Sequence, residues 1–324
     1  MDMKDVLKRY EGDLKLVEEH LEKSLGSEVR LIPVVIKHLI MSGGKRFRPL
    51  MLLTAADLCG YRGERRFPLS AVIEFIHTAT LLHDDVIDNA DTRRGKPSAN
   101  NVWGNSASVL VGDFLYSKCF SLMSDDGDIR IIKLMSYTTN IMAEGEVFQL
   151  MKSGDIHITE EEYFTLIEKK TAVLISAASA VGAMLAGAPT AHVDALAAYG
   201  LRIGKAFQLT DDTLDYVASE KEFGKAIGMD LKEGKITLPL IHALRQCSES
   251  EKKGVKGILE RQGSQEGDVQ EVLSLIHKFG GIDYALNRAK ELIDEGRTLM
   301  DMFGDSEPKR SMLAIADFIL ERKL

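Results

Sequence analysis

The sequence predicts an all-α protein, and three observations carry that prediction. Apolar residues recur at spacings of three and four along almost the whole chain. Long stretches are rich in Ala, Leu and Met, and only 7 prolines occur in 324 residues, so few positions forbid a helix. Strands find little support. Helices are expected at 2–23, 31–41, 49–58 and 68–90, with glycine-bearing turns on either side of the third. Pro49 and Pro68 open their helices, where a missing N–H is tolerated. Further helices are expected at 107–124, 129–151, 159–185, 191–217, 237–247, 269–279, 282–303 and 308–322. Thr159 and Glu162 form a T-x-x-E capping box that marks one start firmly. The turns SDDGD (124–128) and GAPT (187–190) separate helices without a long linker, and KKGVKG and ERQGSQEGD near 252–268 read as surface turns. One helical domain spanning 1–324 is expected, its helices long enough for a bundle around a central cavity.

Composition narrows the function. With 45% hydrophobic and 28% charged residues the chain is globular, with ample length for a large core. A net charge of −8 and a pI near 5.6 argue against nucleic acid as the main partner, so any phosphate chemistry must be local. Cys59, Cys119 and Cys247 are odd in number and far apart, without a zinc-ligand spacing, which suits a reducing cytoplasm. The charged N-terminal stretch MDMKDVLKRYEGDLKLVEEHL has no apolar signal segment, and no apolar run is long enough to span a bilayer. A soluble, non-exported chain is expected.

The chemistry concentrates in LLHDDVIDNADTRRG (81–95), where Asp84, Asp85, Asp88 and Asp91 crowd together. Like charges at helical spacing cost about 0.2–0.5 kcal/mol per pair, so something outside the chain must neutralise them or the face must be solvated. A second passage favours the first explanation. ATLLHDDVIDN (79–89) and AFQLTDDTLDY (206–216) share the frame Asp-Asp-x-x-Asp, and a solvated face has no reason to repeat it. Asp84 and Asp88 lie on one helical face about 6 Å apart along the axis, and Asp211 and Asp215 likewise. Each pair is a hard, oxygen-rich half-site of the kind magnesium takes, its shell completed by water and substrate phosphate. No EF-hand pattern is present, which excludes that class of calcium site.

Cations accompany the acids. Arg93 and Arg94 follow the first motif. MSGGKRFRP (41–49) places Lys45, Arg46 and Arg48 on a Gly-Gly turn before a helix start, where free N–H groups also favour an anion. FGKAIGMDLKEGKITLP (223–239) interleaves Gly224, Gly228 and Gly234 with Lys225, Lys232 and Lys235. Each alone reads as a helix stop or a polar loop; together with two Asp-Asp-x-x-Asp motifs they point to a diphosphate.

GGKRFRP, HTATLLHDDVIDNADTRRG, the Lys170-Thr171 pair of EKKTAVL, FQLTDDTLD and GKAIGMDLKEGKITLP resemble, in letters, order and separation, the trans (E-type, head-to-tail) polyprenyl diphosphate synthases along nearly the full chain. The resemblance implies an isoprenoid synthase fold, a homodimer, and magnesium, three ions per site with substrate bound, held between the two aspartate-rich helices. It makes Asp84, Asp88, Asp211 and Asp215 metal ligands, with Asp85 and Asp212 as supporting members. It gives Arg93, Lys170, Lys225 and, more weakly, Lys235 to the allylic diphosphate. Thr171 and Gln208 would set oxygen dipoles beside the allylic cation. Isopentenyl diphosphate would take Lys45, Arg48, His77 and Arg94, and the departing diphosphate would accept the final proton, so no side-chain base is needed.

Product length should be set along the helix before Asp84. Ala79 and Thr80, five and four positions back, stand where short-chain members tend to carry aromatic blocks, so the channel is open there and its wall lies deeper, near Ile76, Phe75, Met142 or Phe148. The first motif also lacks the two-residue insertion of bacterial farnesyl diphosphate synthases. HTATLLHDDVID and GNSASVLVGDFLYSKCF are most similar to octaprenyl-type members, which implies a medium or long product of the kind attached to respiratory quinones. Shorter geranylgeranyl or farnesyl products remain alternatives, as does a non-catalytic partner subunit, although such subunits generally lose one aspartate motif. A terpene cyclase or a head-to-head synthase of the squalene type fits poorly, given DDTLD and GGKRFRP.

Overall fold

The computed structural model describes residues 1–40, 46–217 and 228–321. They are almost wholly helical: α1 (Met3–Ser24), α2 (Leu31–Ile40), α3 (Phe47–Leu58), α4 (Arg66–Ile87), α5 (Ala99–Trp103), α6 (Asn105–Asp126), α7 (Ile129–Lys152), α8 (Glu160–Ile167), α9 (Val173–Leu185) and α10 (Thr190–Val217). After these come α11 (Met229–Lys232), α12 (Leu238–Gln246), α13 (Glu249–Glu260), α14 (Asp268–Lys278), α15 (Gly281–Leu299) and α16 (Glu307–Glu321). Among the described residues no helix is long and apolar enough to cross a membrane.

The chain divides into two compact units. The first comprises Met1–Thr139, Leu174–Ala197 and Phe303–Ala314; the second comprises Asn140–Val173, Ala198–Met302 and Ile315–Leu324. In the first, α4 is buried on nearly every side, with Phe67, Leu69, Val72, Ile73, Phe75, Ile76, Ala79 and Leu82 all inside, as expected of a central helix. Each such large apolar side chain contributes about 1.5–3 kcal/mol on burial. It packs against α1, α3 and α6. On α6, Gly112 leaves space for the His83 imidazole, whose Nε2 would stand 2.3 Å from a Cβ there.

In the second unit, Glu160 in the first turn of α8 accepts hydrogen bonds from Arg245 Nη1 on α12 and the Tyr284 hydroxyl on α15, both at 2.8 Å. That carboxylate ties three helices together. The Thr159/Glu162 capping box is present as expected from the sequence.

Three expectations need correction. The expected helix 159–185 is interrupted by a π-helical turn, Glu168–Ala172, between α8 and α9. KKGVKG (252–257), read as a surface turn, lies inside α13 (Glu249–Glu260), started by a Ser248/Glu251 capping box; the polar composition and Gly254 and Gly257 hid it. The expected helix 68–90 ends at Ile87, and a small antiparallel hairpin follows, β1 (Thr92–Arg93) with β2 (Lys96–Pro97). Its two-residue loop, Arg94-Gly95, has φ of 53° and 74°, the positive pair that a tight hairpin of matching twist requires.

Candidate active site

In the first unit, the last turn of α4 carries Asp84 and Asp85, and Asp88 is its C-cap, with the Asp88 amide donating to the Asp84 carbonyl at 2.8 Å. The three carboxylates do not share one environment. Asp85 is fully buried; its Oδ1 accepts from Arg93 Nε at 2.8 Å and from Nη2, while Oδ2 is buried without a hydrogen bond. Burial raises the Asp85 pKa despite Arg93, and Asp84 and Asp88 push it the same way. Ending α4 at Ile87 therefore has a use: the chain turns back through β1 and delivers Arg93 to the carboxylate eight residues earlier.

Above these acids lies a cluster of cations. His77, two turns before Asp84, is held well below its ordinary pKa by burial and then by Arg48, Arg94, Arg93 and Arg46. A neutral imidazole among four guanidinium groups is an environment built for an anion. Arg46 is kept in place by Glu74, one turn before His77, through Nη1 to Oε1 at 2.9 Å, and donates through Nη2 to the Ile40 carbonyl. Withdrawal from water lowers the Arg94 pKa; Glu74 opposes the shift, and Arg46 and Arg93 add to it. Lys45, expected with this group, lies outside the described residues. Ala79 is fully buried on α4, and the Thr80 hydroxyl donates to the His77 carbonyl at 2.8 Å.

In the second unit, α10 carries Gln208, Asp211, Asp212 and Asp215. Asp212 is buried with both oxygens occupied: Gln208 Nε2 donates to Oδ1 and the Tyr163 hydroxyl to Oδ2, each at 2.6 Å. Burial pushes its pKa up to about 6, opposed by those two hydrogen bonds and aided by Asp211. The Gln208 carbonyl is taken by the Thr171 hydroxyl at 2.7 Å, so the amide orientation follows from its neighbours on both sides. Lys170 Nζ donates to Glu146 Oε2 at 2.7 Å. The loop after the second motif is tied back to it: Gly228 N donates to the Asp215 carbonyl and Asp230 N to Asp215 Oδ2, both at 3.1 Å. Burial, with Asp212 and Asp215 nearby, raises the Asp230 pKa well above the carboxylate range. A cavity of about 90 Å³ is lined by Tyr163, Lys170, Thr171, Gln208, Asp212, Asp230 and Lys235 among others. Lys225 lies outside the described residues.

A carboxylate pair beside an arginine cluster in one unit, and an aspartate triplet beside two lysines in the other, are parts suited to metal-assisted handling of diphosphates. The comparisons decide among the families that use such parts. The polyprenyl synthetase family profile matches residues 29–276. The chain belongs to the polyprenyl synthetase family. It is 39% identical over 322 residues to the octaprenyl diphosphate synthase of Haemophilus influenzae, covering 99% of this chain and 98% of that one. Its fold matches, with a TM-score of 0.95 and 38% identity, a polyprenyl synthase from Caulobacter crescentus complexed with calcium and isoprenyl diphosphate, over 100% of this chain and 98% of the other. A shorter-product relative, the geranylgeranyl diphosphate synthase of Methanosarcina mazei, is 37% identical over 295 residues, 89% of this chain and 88% of that one.

The donor set of this polyprenyl synthetase fits magnesium. Among the described residues no group of three or more His, Cys, Asp or Glu is placed to hold a metal ion by itself. Magnesium does not need one: it is usually held by one or two carboxylates, with waters and substrate phosphates filling the octahedron. The buried Oδ2 of Asp85 offers an acceptor for such a water.

Sequence reasoning missed Tyr163, Glu146, Glu74 and Asp230. Asp230 stands inside a quoted motif, GMDLKEGK, where its letter gave a usable signal. Tyr163 gave none, since its partner Asp212 is 49 residues away.

Proposed function

We propose that this polyprenyl synthetase is a trans, head-to-tail prenyltransferase that condenses an allylic diphosphate with successive isopentenyl diphosphates and ends at octaprenyl diphosphate. The observation that carries it is the first half-site, where the end of α4 presents Asp84 and Asp88 and, two turns earlier, His77, whose pKa is lowered by burial and by the charges of Arg48, Arg94, Arg93 and Arg46. Carboxylates for metal and guanidinium groups for diphosphate thus come from one helix end and its immediate neighbours. Both aspartate motifs, one in each compact unit, are taken as needed for the reaction.

Magnesium, when bound, supplies positive charge that stabilises the departing diphosphate; three ions per site are proposed. Asp84, Asp88, Asp211 and Asp215 would hold it directly. Asp85 and Asp212, each buried and bonded to protein donors, would act behind them. Arg93, Lys170, Lys225 and Lys235 bind and orient the allylic diphosphate. Lys45, Arg48, His77 and Arg94 bind isopentenyl diphosphate, and His77 does so as a neutral hydrogen-bonding group. Because the Thr171 hydroxyl donates its proton to Gln208, its oxygen lone pairs stay available to face the developing allylic cation. That cation must be kept from water, which suits a site walled by buried apolar helices. Ala79 leaves room for a growing chain. The three cysteines, none in a disulfide, accord with a cytoplasmic location.

Purified protein incubated with magnesium, farnesyl diphosphate and isopentenyl diphosphate should give octaprenyl diphosphate by mass analysis. Products ending at geranylgeranyl diphosphate would assign the shorter-chain alternative. No product at all, with activity restored by a second subunit, would assign a non-catalytic partner.

A further inference from the structure

The π-turn Glu168–Ala172 lies where Lys170 and Thr171 must be aimed. It is closed by the Val173 amide donating to the Glu168 carbonyl, five residues back. Such turns are rare within α-helices and frequently lie at functional sites. Two glycines on two neighbouring helices stand against this one. A Cβ at Gly145 of α7 would lie 2.8 Å from Lys169 Cβ and 2.9 Å from the Lys170 amide nitrogen. A Cβ at Gly204 of α10 would lie 2.6 Å from Ala172 Cα and 2.8 Å from its Cβ. The obstructing atoms are backbone or β-carbons and cannot swing aside. Glycine is also the poorest helix former after proline, so both positions give up helix stability for closeness.

That closeness has a chemical result at each contact. Glu146, next to Gly145, bonds the Lys170 ammonium, and Gln208, one turn beyond Gly204 on the same face, bonds the Thr171 hydroxyl, both at 2.7 Å. We propose that Gly145 and Gly204 are positioning residues: by admitting α7 and α10 to contact with the π-turn, they set the aim of Lys170 and Thr171 on the allylic substrate. The proposal rests on the prenyltransferase function above, which assigns those two side chains to the substrate.

The test compares full-length Gly145→Ala and Gly204→Ala with Gly182→Ala. Gly182 is equally crowded, 2.5 Å from the Leu52 carbonyl oxygen, but packs α9 on α3 away from the π-turn. All three are checked for fold by circular dichroism and thermal melting, then assayed for kcat and for KM of each substrate. A displacement of the order of 1 Å predicts a kcat about 100-fold below wild type for the first two, with the KM for isopentenyl diphosphate unchanged. Gly182→Ala should lose thermal stability with little change in kcat. Gly145→Ala and Gly204→Ala lie on separate helices, so either one serves if the other does not fold. Folded Gly145 and Gly204 variants within about two-fold of the wild-type kcat would overturn the proposal, as would an equal kcat loss in Gly182→Ala. A wild-type enzyme that makes no prenyl product would instead remove the function on which the proposal stands.

Discussion

His77 shows how a site for an anion constrains its own residues before the anion arrives. Its imidazole is half-buried among Arg46, Arg48, Arg93 and Arg94, and the folded protein holds it neutral well below the ordinary value of 6.5. At pH values between the two, the unfolded chain binds more protons than the folded one. The stability contributed by a neutral His77 is therefore complete above about pH 6.5 and is lost as pH falls toward the folded value. At one unit below the ordinary value the loss is about 1.4 kcal/mol. His77→Gln should melt with a shallower acid dependence than wild type across about pH 7.5 to 5.5, by that margin in ligand-free protein. Parallel melting curves for the two proteins would show that folding leaves the His77 pKa unshifted, against the effect of burial and the arginines. The same residue-level logic separates Asp85 from Asp84 and Asp88: it accepts from Arg93 while fully buried, as its proposed supporting role requires.

At the scale of elements, α4 ends in the first aspartate motif and buries Ala79 about one turn before it. Replacing Ala79 with Phe puts an aromatic ring at a fully buried position one turn below Asp84. Overpacking of this kind costs about 1–3 kcal/mol in stability. If the growing chain runs down α4, Ala79→Phe should shift the products markedly toward shorter polyprenyl diphosphates on mass analysis; an unchanged length distribution in a folded variant would take Ala79 out of the channel. Helices were legible in the sequence wherever the apolar period ran long, and the aspartate spacing was legible because two carboxylates four apart share a helical face. The π-turn was not, since EKKTA has ordinary helix-forming letters and the residues packed closest against it, Gly145 and Gly204, lie on α7 and α10, far along the chain. The hairpin escaped because strands of two residues show no alternation, and only Arg94-Gly95 hinted at the turn. Helix α13 was hidden by its glycines although Ser248 and Glu251 spelled its start.

For the molecule as a whole, the surface of α6 bears on assembly. Val109, Leu110 and Phe120 are 39%, 67% and 41% exposed, and Ile129 and Tyr137 on the following helix are 58% and 66% exposed. Large apolar side chains left in water in such number favour burial against another copy. Wild type should run as a dimer in light scattering at micromolar concentration, and Leu110→Glu with Phe120→Glu should give a folded monomer; a monomeric wild type would remove the homodimer from the account. The central claim, that both aspartate motifs are needed for the reaction, is tested most directly by the steady-state rate of octaprenyl diphosphate formation in Asp84→Asn and, separately, Asp211→Asn, at saturating magnesium. Each substitution alone should lower kcat by about 10²–10³-fold, because each removes part of the stabilisation of the leaving group. A folded variant of either kind that turns over at the wild-type rate would contradict the claim.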